Sequence, residues 1–327
     1  MDGAERLAGE AVEALDRAVG PTHPDAANAR CTLARVALIG ARFAEAAGHA
    51  REAFAALATS PPDPVIDMIR LGALEQLGAA CIPLGAYGEA EEALASALAL
   101  ATGEGQEDAS RAPGVQNARG MLFKFLGRYD DAQAAYDDAR ARYEAAGIAV
   151  PAALFHNFAG LACARGDFAA AEALVRRGIE RRREDEGDGF GLAQDLAGLA
   201  DALSGQARYA EAEALYEDAL ARFRALAPAH PEIGYALHNL ADALADAGRD
   251  DDAAVRYREA ITLKTRAFGA GHHEVAASEA NLAALLAPRF PEEARALAAR
   301  ARASTAGLAP SHPVRVGCEA LAARLGA

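Results

Sequence analysis

The stretch His230–Glu274, "HPEIGYALHNLADALADAGRDDDAAVRYREAITLKTRAFGAGHHE", holds one whole structural unit and the start of the next. Its first half, "LHNLADAL" (237–244), sets a large residue directly before a small one at Leu240–Ala241 and spaces its apolar residues as one face of a helix. "GRDDDA" (248–253) then breaks the pattern with a glycine, the residue that closes helices in the left-handed conformation. A second periodic run succeeds it, with Ala253, Tyr257 and Ala260 at the i, i+4, i+7 positions of one buried stripe. The histidine and acid that open the stretch return at His272 to Glu274. Helix, short turn, helix and longer loop make an αα-hairpin, and the hairpin recurs.

Working outward, the turn is found six times, as "ARFAEA" from 41, "GAYGEA" from 85, "GRYDDA" from 127, "GDFAAA" from 166, "ARYAEA" from 207 and "GRDDDA" from 248, at intervals of 44, 42, 39, 41 and 41 residues. A poorer copy, "APRFPEEA", stands at 287–294. Gly or Ala closes the first helix, and an aromatic is expected to plug the corner: Phe43, Tyr87, Tyr129, Phe168, Tyr209, Phe290. The next alanine (Ala46, Ala90, Ala132, Ala171, Ala212, Ala253) lets the second helix lie close, and Leu94, Tyr136, Val175, Tyr216 and Tyr257 continue its stripe. First helices repeat the large–small pair at Leu77–Gly78, Phe158–Ala159 and Leu282–Ala283. Arg119 breaks this pattern in the third repeat, and Pro288 and Pro291 disturb the seventh. Such hairpins bury their apolar faces only by stacking on neighbours.

The histidines occupy one place in this scheme. His23–Pro24, His230–Pro231, His272–His273 and His312–Pro313 each stand where a loop enters a first helix. Proline suits the first helical position, and Asp25, Glu232 and Glu274 suit its positive end. Capping therefore accounts for all four sites, and stacking is expected to hold successive histidines too far apart for a metal.

"HPEIGYALHNLADALADAGRDDDAAVRYREAI" with its echo "HHEVAASEANLAALLA" resembles the tetratricopeptide repeat, and more narrowly the long-loop variety of about 42 residues found in kinesin light chains. The resemblance covers nearly the whole chain. It implies an all-α fold, a solenoid of αα-hairpins wound into a right-handed superhelix, occupying residues 1–327 as one array. The expected units are an unpaired helix at 4–20, repeats at 24–58, 65–101, 113–146, 151–184, 190–226, 231–268 and 273–306, and a capping helix at 313–325. Because 4–15 reads as a second helix without its first, the end faces are expected to be sticky, with self-association through the unpaired terminal helices as one consequence.

Composition agrees and excludes other classes. Of 327 residues 52% are hydrophobic, mostly alanine and leucine, while aromatics reach 6% and tryptophan is absent. No β-branched run bounded by hairpin turns is found. A net charge of −14 argues against nucleic acid and gives no membrane-surface signature. Charged residues interrupt every apolar segment, no secretory leader is read, and Cys31, Cys81, Cys163 and Cys318 form no Cys-x-x-Cys pair, so a reduced cytoplasmic setting is expected.

Catalytic and cofactor motifs are weak throughout. "HHEVA" (272–276) lacks the second histidine of a metalloprotease helix, "DEGDGFG" (185–191) lacks the spacing of a calcium loop, and "GEGQED" (103–108) is preceded by no strand. Serines and cysteines have no partnered base. Arg176–Arg177 and Arg181–Arg183 alternate with Glu180, Glu184 and Asp185 as on a solvated helix face. No enzyme, metal or cofactor is expected. "ATGEGQEDASRAPG" (101–114) and "RRREDEGDGFG" (181–191) read as loose loops.

What remains is the groove that the resemblance assigns to first helices. Its expected lining includes Asn28, Arg35, Gln76, Asn117, Lys124, His156, Asn157, Tyr235, His238, Asn239 and Asn281. Asn157, Asn239 and Asn281 precede the large–small pair, and in related repeats that amide binds the main chain of an extended peptide. The competing role for these asparagines is to tie neighbouring hairpins together. Lys124, Arg35 and His156 suit acidic side chains or a carboxylate. The sequence thus predicts a scaffold for a protein or peptide, with a peptide-sensing regulatory array controlling an effector as the alternative.

Overall fold

The computed structural model describes residues 2–103, 111–185 and 189–327. The loops expected at 101–114 and 181–191, and the rejected motifs at 103–108 and 185–191, lie partly outside the described residues. Alanine-rich periodicity yields sixteen α-helices and no strand among the described residues, in an all-α repeat solenoid.

The chain divides into two compact units, Met1–Val150 and Pro151–Ala327. The first contains α1 (Asp2–Val19), α2 (Pro24–Ile39), α3 (Phe43–Ala56), α4 (Pro64–Cys81), α5 (Tyr87–Thr102), α6 (Ala112–Phe125) and α7 (Tyr129–Ala145). Here α2, α4 and α6 pair with the helices directly after them, and α2 touches α4 as α4 touches α6. The second unit contains α8 (Ala152–Ala164), α9 (Phe168–Asp185), α10 (Phe190–Ser204), α11 (Tyr209–Leu226), α12 (Glu232–Asp246) and α13 (Asp250–Phe268). It continues with α14 (His273–Leu286), α15 (Pro291–Thr305) and α16 (Pro313–Leu325). Its first helices, α8, α10, α12, α14 and α16, form a second row of neighbours.

The packing derives from the large–small alternation. Ala46, Ala90, Ala132, Ala171, Ala212 and Ala253 are all fully buried, and Leu94, Tyr136, Val175, Tyr216 and Tyr257 are buried beside them. The small residue of a first helix is where the large one of its partner sits. A Cβ added to Gly120 would run into the Tyr136 ring, and one added to Gly78 would run into Leu94. At the turns, Gly127 and Gly248 take φ of 74° and 77°, and Ala41 and Ala207 accept the same left-handed region where glycine is missing.

Histidine capping is realised in atomic detail. Nδ1 of His23, His272 and His312 accepts the backbone N–H of Asp25, Glu274 and Val314 at 3.2, 3.2 and 3.3 Å, and His230 accepts from Glu232 at 3.3 Å. Only a neutral imidazole has the lone pair for this. The expected separation of the histidines does not hold in the second unit. The His273 and His312 rings are 5.9 Å apart because adjacent first helices begin side by side at packing distance, and the consecutive His272 stands 4.2 Å from His273.

Two other expectations are corrected. Phe290 does not plug a corner but is 47% exposed, since Pro291 takes the first position of α15 and leaves Phe290 at its cap. Arg119 causes no gap: it donates to Gln116 Oε1 at 2.8 Å and lies 5.3 Å over the Phe123 ring. Among the described residues no helix is long and apolar enough to cross a membrane.

Candidate functional site

In the first unit, the structure gathers Asn28, Arg35 and Gln76 around one cavity of about 230 Å³ between α2 and α4. Asn28 and Arg35 are exposed on α2, two turns apart, and Gln76 faces them from α4. Gln76 Oε1 is buried and accepts no hydrogen bond, although such groups are nearly always satisfied. Arg35 forms no ion pair among the described residues. Among the described residues the cavity therefore holds an acceptor that lacks a donor and a cation that lacks an anion.

Arg111, for which the sequence carries no signal, closes one side. Its guanidinium donates to Met68 O at 3.2 Å and approaches Glu75 Oε2 at 3.4 Å. Burial pushes the Glu75 carboxyl up, and Arg111 opposes that shift. Cys31 on the floor is held as a thiol, pushed up to about 11 by burial, which makes it a poor nucleophile. Asn117 and Lys124 lie on α6 outside this cavity, with Lys124 Nζ 5.5 Å over the Phe125 ring.

In the second unit the predicted residues serve a ladder between first helices. Asn239 Nδ2 on α12 donates to Asp201 Oδ1 on α10 at 2.9 Å, and Asn281 Nδ2 on α14 donates to Asp242 Oδ1 on α12 at 2.8 Å. The hydroxyls of Tyr216 and Tyr257 donate to the same two aspartates from the paired second helices. Burial raises both phenols, and their aspartate neighbours raise them further. Each asparagine thus ties neighbouring hairpins with one N–H and keeps its carbonyl oxygen for another partner.

The remaining candidates are drawn inward. Asn157 is only 8% exposed, so it does not present an open amide edge, because the large–small pair beside it turns that face into the core. His238 contacts Ser278 Oγ at 3.0 Å through Nδ1 and Asp242 Oδ2 at 3.5 Å through Nε2, and burial holds it well below the ordinary histidine range. The Tyr235 ring lies 4.6 Å from Lys264 Nζ, a buried amine whose pKa desolvation lowers.

His156 differs. Its Nδ1 lies 3.1 Å from Asp195 Oδ1, whose second oxygen accepts from Arg182 Nε at 2.7 Å. Asp195 is fully buried and Arg182 6% exposed, while the imidazole stays one-third exposed. The buried pair holds the ring through Nδ1. Asp195 and Arg182 carry no signal in the sequence, since their pairing depends on α9 and α10 lying side by side. No group of three or more metal-ligating side chains is found among the described residues.

With the geometry in hand, the chain can be placed among known proteins. Residues 151–225 and 234–274 match models described as tetratricopeptide repeat. No curated protein matches by sequence. Among solved structures, BtubC (BKLC) from P. vanneervenii is similar at 20% identity and a TM-score of 0.51, over 69% of this chain and 91% of that one. A Rap protein complexed with Competence and Sporulation Factor is similar at 13% identity and a TM-score of 0.65, over 87% and 77%. NprR in complex with its cognate peptide NprX is similar at 15% identity and a TM-score of 0.63, over 90% and 81%. These likenesses concern the fold. Together with the matched repeats and the stacked hairpins, they make this chain a tetratricopeptide repeat protein.

Proposed function

We propose that the protein is a non-enzymatic scaffold that holds an extended peptide against its first helices, with the α2–α4 cavity as the anchor. The observation that carries this reading is the pairing of unmet needs among the described residues there: buried Gln76 Oε1 without a donor, beside Arg35 without a counter-ion. An extended chain supplies both, a main-chain N–H for the amide oxygen and a carboxylate for the guanidinium. Asn28 adds an amide that can donate and accept on the same side.

A second reading, a peptide-sensing regulatory array, is favoured by two of the similar structures. One is named as the quorum sensor NprR from B. thuringiensis, the other as a Rap conjugation gene regulator in complex with the Phr* peptide. The two readings share the binding step and differ in its consequence, passive holding or control of an effector.

Selecting binders for the full chain from a random dodecapeptide display library tests that step. The selected peptides should be enriched in Asp or Glu. Arg35→Ala should weaken a synthesised binder about tenfold, the loss of one charge-assisted contact, without lowering the melting temperature. Selection of apolar peptides indifferent to Arg35→Ala and to Gln76→Leu would overturn the assignment.

A further inference from the structure

Gln206, in the turn between α10 and α11, fills a place that the chain leaves open one hairpin later. Its amide nitrogen donates to Glu172 Oε2 at 2.8 Å, to Ala202 O at 3.2 Å and to Phe168 O at 3.3 Å. All three partners are acceptors, so the nitrogen of the amide and not its oxygen faces them. The side chain thereby ties its own turn to the start of α9, beside the Arg208–Glu172 ion pair at 3.0 Å.

Forty-one positions on, the acceptor residues recur and the donor does not. Phe168, Glu172, Ala202, Leu203 and Arg208 become Tyr209, Glu213, Ala243, Leu244 and Arg249, but Gln206 becomes Ala247. These later residues line a cavity of about 240 Å³. Ala243 and Leu244 are buried, and Arg249 Nη1 holds Glu213 Oε2 at 2.6 Å as Arg208 holds Glu172. Among the described residues Glu213 Oε1 accepts no hydrogen bond. Gly205 has also changed, to Asp246. A Cβ at Gly205 would run into the Phe168 ring, so the Tyr209 ring cannot lie against Asp246 in the same way, and the corner stays open.

We propose that this corner cavity takes the side chain of a glutamine from a partner polypeptide, its carboxamide standing where Gln206 stands one hairpin earlier. The amide N–H groups meet Glu213 and the carbonyls of Tyr209 and Ala243, and the two methylenes lie against Leu244 and Ala247. An apolar side chain of that size leaves the carboxylate facing methyl groups, which is costly, and an acidic one is repelled by it. The Arg249–Glu213 pair is already closed, so the two charges of free glutamine find no counter-ion there. A glutamine within a polypeptide brings neutral amides instead. The cavity is smaller than the roughly 300 Å³ at which pockets begin to bury a drug-sized ligand, and it suits one side chain. This site lies at the turns of the second unit and uses none of the α2–α4 residues, so either site stands without the other.

The test follows the methyl signals of Leu244 in the methyl-labelled full chain as blocked amino acids are added. The probes are the N-acetyl N-methylamides of glutamine, leucine, glutamate and lysine, with free glutamine as the small-molecule source. Blocked glutamine should bind saturably in the millimolar range and at least about tenfold more tightly than each of the others, the worth of one strong hydrogen bond. Ala247→Gln should abolish that binding and raise the melting temperature by about 2–4 °C, the gain of one net hydrogen bond. Ala247→Glu, of equal length but without the donor, should not raise it. Gln206→Ala should open a second site, read at the Leu203 methyls.

Equal binding of the leucine, glutamate or lysine probe would overturn the proposal, as would the absence of saturable binding. Tighter binding of free glutamine would overturn the polypeptide source, and undiminished binding to Ala247→Gln would overturn the site. Arg35→Ala should leave the glutamine titration unchanged, so failure of the α2–α4 anchor and failure of this cavity are read separately.

Discussion

Asp195→Ala is expected to destabilise the second unit by about 3–5 kcal/mol, the range seen when one partner of a buried ion pair is removed. The carboxylate is fully buried and receives Arg182 Nε at 2.7 Å. Without it, a guanidinium that is 6% exposed loses this counter-ion and cannot swing to water freely, because it packs against Gly191. For a unit of this size the melting temperature should fall by roughly 10 °C. Asp195→Asn keeps the shape and one acceptor and should cost less. Asp195→Ala also releases the His156 ring, whose Nδ1 loses this contact once Oδ1 is gone. Thermal unfolding monitored by circular dichroism checks the first effect, and a shift of less than 2 °C for Asp195→Ala would contradict the ion-pair account.

Acid should weaken the second unit over a window set by its histidines. Burial lowers His230 to about 4 and His273 to about 3, and it lowers His312 and His238 as well. Around His273 stand His272, His312, Lys264 and Glu274, the last with Oε2 3.5 Å from Lys264 Nζ. A folded-state value below the ordinary 6.5 means that the unfolded chain takes the proton first. Stability is therefore level above about pH 6.5 and falls as pH drops from there toward the folded values.

Each such histidine adds a slope of at most about 1.4 kcal/mol per pH unit. Protonation also removes the lone pair with which His230 and His312 accept their backbone N–H groups. The Glu172 carboxyl, held at about 2 first by its hydrogen bond from Arg176 and then by Gln206 and Arg208, adds a loss of the same sign only below about pH 4.5. Urea midpoints between pH 7.5 and 5 stay above the Glu172 range and read the histidines against the buried Asp242 and Glu75 carboxyls, which burial raises and which therefore act in the opposite sense. The midpoints should decline below pH 6.5, and His273→Asn should shallow the decline. Flat midpoints over that interval would contradict the prediction.

The fold is legible in the sequence because every repeat states it in local terms. The left-handed turn residue returns in six copies, and the large–small pair and the histidine before a first helix in four each, every one with a reason within one hairpin. Phe290 escapes the pattern because one inserted residue and Pro291 shift the start of α15.

The site is legible only in part. Asn28, Arg35 and Gln76 share a cavity because first-helix positions repeat in register, which spacing alone conveys. The asparagines at 239 and 281 sit on first helices, as their spacing requires, but whether such an amide faces a ligand or a neighbouring carboxylate depends on a residue about forty positions earlier in the chain. Arg111 stands just before α6, outside any periodic run, and reaches Glu75 only through the packing of α6 on α4.

The central claim is that the first-helix face, and not the outer helices, holds the peptide. Photocrosslinking with a library-selected peptide that carries a benzophenone at successive positions tests it most directly. The account predicts adducts within 24–39 and 64–81, the residues of α2 and α4, whose yield at sub-saturating peptide falls in Arg35→Ala. Adducts confined to the second helices α3 and α5, unchanged by that substitution, would contradict it.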